Sequence, residues 1–87
     1  MKPYQLTVAY LAIDFIQQQD RWQRMALMVG LKALAEYPHN AKDLVEKGEG
    51  GREHFVNYRG KFAIKFWIDE PEREVKVIYI NLRERRE

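Results

Sequence analysis

The sequence has 87 residues, 15 Lys and Arg against 13 Asp and Glu, 46% hydrophobic residues and no cysteine. That length holds one domain, residues 1–87, whose core forms without disulfides, and the missing thiols exclude thiolate metal sites, redox chemistry and a cysteine nucleophile. With no serine and a single threonine, Thr7, hydrolysis of the Ser-His-Asp kind has almost no nucleophile to draw on.

His39 and His54 stand far apart with no zinc-ligand spacing between them, so neither metal nor cofactor is expected. No run approaches the roughly eighteen apolar residues that span a bilayer. No contact with a membrane is expected, and the chain reads as cytoplasmic.

Residues 4–9 alternate, with Tyr4, Leu6 and Val8 on one side, and predict a strand. From Tyr10 to Gln18, Leu11, Ile13, Phe15 and Ile16 follow a helical period, and the polar run Gln17-Gln18-Gln19-Asp20 ends it. Asp20 with Gln23 three residues on resembles a capping box opening a second helix. Its apolar face is expected from Trp22, Met25, Val29 and Ala33, with Ala26 and Leu34 beside them, and it stops before Pro38. One unbroken rod over 11–36 would be about 39 Å long, too long for this core, so the two form a helical hairpin.

Residues 39–52 read as a loop with a short amphipathic piece, Ala41 to Glu46, and the flexible connection Gly48-Glu49-Gly50-Gly51. That glycine run lacks the following helix and the Lys-Ser/Thr pair of a phosphate-binding loop. Period two then returns: Phe55 to Tyr58, closed by Arg59-Gly60, and Lys61 to Ile68, with Phe62, Ile64, Phe66 and Ile68 opposite Lys61, Ala63, Lys65 and Trp67. A turn at 69–73 leads to Val75–Leu82, where Ile78, Ile80 and Leu82 are expected on one face and Val77, Tyr79 and Asn81 on the other. The order is β-α-α-β-β-β. The fold class is α+β: a small antiparallel sheet with the hairpin packed on one face.

The formal net charge is +2, and residues 39–87 hold most of the charged groups. Lys61, Lys65 and Trp67 project together from the open face, where cations interleaved with an aromatic suit phosphates and bases. Arg83 and Arg85 leave the last strand near the loop that carries Lys42, Lys47 and Arg52, and guanidinium groups hold phosphate and stabilise developing negative charge. His54 and Tyr58 are candidate proton-transfer groups, and an RNA 2′-hydroxyl can supply the nucleophile that the chain lacks.

The sequence resembles the RelE/ParE family of type II toxin–antitoxin toxins over nearly its whole length. The resemblance rests on Ala12-Ile13-Asp14-Phe15-Ile16, on Leu34-Ala35-Glu36-Tyr37-Pro38, on Arg52, and on Gly60-Lys61-Phe62-Ala63-Ile64-Lys65-Phe66. It closes with Val75-Lys76-Val77-Ile78-Tyr79-Ile80 and the basic end from Arg83 to Arg85. It implies a toxin neutralised by a cognate antitoxin. In the RelE branch the toxin is a ribosome-dependent mRNA endonuclease, with Arg83 and Arg85 as the catalytic positions and Lys42, Lys47, Arg52, Lys61 and Lys65 contacting RNA, so that ribosome and mRNA are partners. In the ParE branch the partner is DNA gyrase and no RNA is cut. Ala63 stands where the family's strand motif carries an arginine, and the sequence ends at Glu87 without a counterpart of a C-terminal Tyr or His; both departures favour a non-enzymatic alternative, a gyrase inhibitor or a degenerate antitoxin-binding module.

Overall fold

Strict alternation in Phe62, Ile64 and Phe66 decides which way the sheet faces, because those rings and branched chains lose water only if a second layer covers them. The computed structural model describes residues 4–83. Strand β1 (Gln5–Val8) is followed by helix α1 (Tyr10–Gln17), helix α2 (Arg21–Glu36) and a 3₁₀ turn, Pro38–Ala41. Strands β2 (Leu44–Lys47), β3 (Glu53–Arg59), β4 (Phe62–Asp69) and β5 (Glu74–Leu82) complete the described residues.

The sheet has five strands in the order β1-β5-β4-β3-β2. All neighbours are antiparallel except β1 and β5, which run parallel with Gln5 opposite Glu74 and Val8 opposite Val77. The α+β class with a helical hairpin on one face is as expected, but the sheet is mixed and carries one strand more than the sequence pattern suggests. The additional strand is β2, within the stretch read as a loop. It is four residues long and exposed throughout, so no buried period marks it. Asp43 holds it in place: its carboxylate accepts the Tyr58 N–H at 2.7 Å and the Asn57 side-chain amide at 3.3 Å.

The core lies between hairpin and sheet, with Ala12 and Ile16 from α1, Leu27, Leu31 and Leu34 from α2, and Phe62, Ile64, Phe66, Val75, Val77 and Ile80 from β4 and β5. Asp20 caps α2, accepting the Gln23 N–H at 2.9 Å. The buried face of α2 differs from the expected one: Trp22 is 74% exposed and Val29 61%, while Leu34 is buried as expected, together with Leu27, Gly30 and Leu31. At Gly30 the Arg59 side chain lies across the helix, and a Cβ there would lie 2.4 Å from its Cδ.

Strand β5 also departs from simple alternation. Phe66 pairs with Val77 and Lys65 with Tyr79, so Ile78 is an unpaired bulge residue. Val77 therefore joins Ile80 in the core, and Ile78 lies on the uncovered face.

Candidate nucleic-acid interface

The face turned away from the helices is built from cross-strand rows, since residues opposite each other on neighbouring strands share a face. One row is Tyr58, Ala63 and Asn81; the next is Val56, Lys65 and Tyr79; Trp67 and Lys76 follow. Aromatic and cationic groups thus alternate across the surface. The guanidinium of Arg83 lies 4.1 Å from the ring centre of Tyr58, and its backbone N–H donates to the Lys61 carbonyl at 2.7 Å. Lys65 approaches the Tyr79 ring at 5.3 Å and pairs with Glu46 at 3.4 Å.

Beside β2 this face sinks into a concavity of about 720 Å³ lined by Lys47, Gly48, Arg52, His54, Lys65, Trp67 and Ile78. The Arg52 guanidinium stacks 3.9 Å from the centre of Trp67, and Lys76 approaches the same ring at 5.1 Å. Gly48 closes over His54: a Cβ there would lie 2.3–2.7 Å from the imidazole ring. The Gly48 N–H donates to the Arg52 carbonyl at 2.6 Å. Nδ1 of His54 is buried with no hydrogen-bond partner among the described residues. Gly50 and Gly51, with φ of 70° and 79°, turn the chain between β2 and β3 through left-handed conformations that glycine adopts without penalty.

Three of the five expected RNA contacts, Lys47, Arg52 and Lys65, therefore converge, with Arg83 further along the same face. Lys42 and Lys61 line no part of the concavity. Lys42 lies 4.6 Å from the ring centre of Phe55 and Lys61 5.5 Å from that of Phe62, and both rings belong to the core cluster on the helix side. Arg85 lies outside the described residues. Neither Arg83 nor Arg52 has a carboxylate partner among the described residues. The Arg52–Trp67 stack, the Gly48–His54 closure and the outward turn of Ile78 leave no periodic mark in the sequence; Gly48, six residues before a histidine, is the one local sign of the closure.

Away from this face, Glu70 joins three segments. It accepts hydrogen bonds from the Tyr4 hydroxyl at 2.9 and 3.0 Å and from His39, and the Arg73 guanidinium lies 4.2 Å from the Tyr4 ring centre. The bonds from His39 and then Tyr4 hold the Glu70 carboxyl below its ordinary range. Desolvation and the Glu70 carboxylate push the Tyr4 hydroxyl up.

No family model matches the sequence, and neither does any curated relative. Solved structures do match. A chain of the toxin–antitoxin complex RelBE2 from Mycobacterium tuberculosis superposes with a TM-score of 0.80 at 17% identity, over 94% of this chain and all of that one. The archaeal RelE–RelB complex from Pyrococcus horikoshii gives 0.80 at 12%, over 98% of this chain and all of that one. The isolated RelE toxin of E. coli gives 0.70 at 20%, over 97% of this chain and 88% of that one. The fold is that of the RelE toxins. At these identities the RelE fold is shared while the activity must be argued from the site, and the Tyr58, Ala63 and Asn81 row is where this RelE-fold sheet offers a small apolar side chain between an aromatic and an amide.

Proposed function

We propose that this chain is the toxin of a type II toxin–antitoxin pair and acts as a ribosome-dependent mRNA endonuclease. The observation that carries the reading is Arg83: a guanidinium without a carboxylate partner among the described residues, set over Tyr58 on an uncovered face that continues in further cations and aromatics. In the proposed reaction the RNA 2′-oxygen attacks the adjacent phosphorus, the bond to the 5′-oxygen breaks, and a 2′,3′-cyclic phosphate and a 5′-hydroxyl result. Arg83, joined by Arg85, stabilises the charge that develops on the phosphoryl oxygens. Tyr58 is the proton-transfer group beside it. An antitoxin partner is supported by the two RelE–RelB assemblies of the same fold and by the exposed apolar stripe of Trp22, Met25 and Val29 on α2, where a partner would bury apolar area.

Primer extension on a reporter mRNA in a reconstituted translation reaction, with and without ribosomes, tests the reading. Cuts inside codons that need ribosomes are expected, and Arg83→Ala should lower the cleavage rate about a hundredfold or more. Growth arrest with intact mRNA would refute it. A second reading has one observation in its favour: Ala63 occupies the row beside Tyr58, so a basic group is missing between the strands. On that reading the chain inhibits DNA gyrase or only binds antitoxin, and loss of supercoiling by purified protein would show the former.

A further inference from the structure

The concavity beside β2 has three properties of a seat for a nucleobase. A flat cation already lies on a flat ring, with Arg52 exposed and 3.9 Å from the centre of Trp67, and single-stranded bases stack on both aromatic rings and guanidinium planes. Cations flank that layer: Lys47 and Lys65 line the same hollow, Lys65 with the half-exposed Glu46 carboxylate 3.4 Å away as its partner until a phosphate takes its place. The floor is also fixed in advance, because Gly48 is packed onto the His54 ring too closely to admit a Cβ, so little ordering cost remains for binding.

We propose that this concavity binds one base of single-stranded RNA, stacked on the Arg52–Trp67 layer with its phosphate near Lys65. Trp67 lies four residues along β4 from Ala63, about 13 Å at the rise of a strand, so this seat and Arg83 grip different nucleotides of one RNA. The inference rests on the RNA reading above and adds a contact that governs which sequence or length is held, separate from the bond that is cut.

The sequence contains two tryptophans, so the full chain carrying Trp22→Phe reports on Trp67 alone. Titration with an RNA hexamer should quench its emission saturably, and Arg52→Gln should weaken that binding about five- to hundredfold. Inorganic polyphosphate, which offers charge without bases, should leave the emission unchanged. Equal quenching by polyphosphate, a silent Trp67, or undiminished binding by Arg52→Gln would overturn the seat. The translation reaction separates the two readings: mRNA cut by a protein whose Trp67 does not respond removes the seat and keeps the nuclease, and a Trp67 response without cutting keeps the seat and removes the nuclease.

Discussion

A methyl group on Gly48 would sit 2.3 Å from one carbon of the His54 ring and 2.5 Å from Nε2, well inside van der Waals contact. The Gly48 backbone cannot back away cheaply, since its N–H donates to the Arg52 carbonyl across the turn. Gly48→Ala should therefore destabilise the protein by about 1–3 kcal/mol, and adding His54→Ala should recover most of that loss, because the two sites are coupled through one contact. Urea midpoints of the two single variants and the double variant measure it; strictly additive losses would show that the methyl clashes with something else. At this scale the sequence was legible where alternation rules: Lys65 and Trp67 lie on the uncovered face as their spacing requires. Arg52 was harder to place, because its stack on Trp67 depends on how β3 pairs with β4 and on a turn before β3, neither of which leaves a local periodic signal.

Helix α2 carries two apolar stripes, and period alone cannot choose between them. Leu27, Leu31 and Leu34 are buried, and Met25, Met28 and Val29 are exposed. A glycine inside a helix costs about 1 kcal/mol relative to alanine, so Gly30 marked the side where something packs too closely for a Cβ. Leu31→Ala should cost about 2–5 kcal/mol through the cavity it leaves, whereas Val29→Ala should stay within about 0.5 kcal/mol. Thermal unfolding of both distinguishes the stripes, and equal losses would contradict the packing described. Strand β2 escaped notice for a related reason: an edge strand exposed on both faces buries no alternate residues, and what holds it is the pair Asp43 and Asn57, whose bonds reach fifteen and sixteen residues along the chain. In β5 the bulge at Ile78 shifts the inward set from 75 and 77 to 80, so a strict period of two assigns Val77 to the wrong side.

Across the whole molecule, the parallel pairing of β1 with β5 is fastened at one end by Glu70, which ties Tyr4 to the 3₁₀ turn through His39, and along its length by Thr7, whose hydroxyl donates to Glu74 at 2.9 Å. The Glu70 carboxyl is held below its ordinary range in the folded chain. Its contribution to stability is accordingly complete above the ordinary carboxylate range and is lost as pH falls through the lower folded value. Glu70→Gln should flatten the acid side of the melting temperature measured from about pH 3 to about pH 6, and an unchanged acid limb would detach Glu70 from the fold's acid sensitivity. The same first-with-last pairing has a consequence for biosynthesis. Because β5 lies inside the sheet, between β1 and β4, a nascent chain has no partner for β1 and no cover for the inner edge of β4 until residues 74–82 have been made. Contacts of such long sequence separation form late. The β2–β4 part of the uncovered face can pair beforehand, but the surface bearing Arg83, with Tyr79 and Lys76 beside Lys65 and Trp67, exists only once β5 has been made.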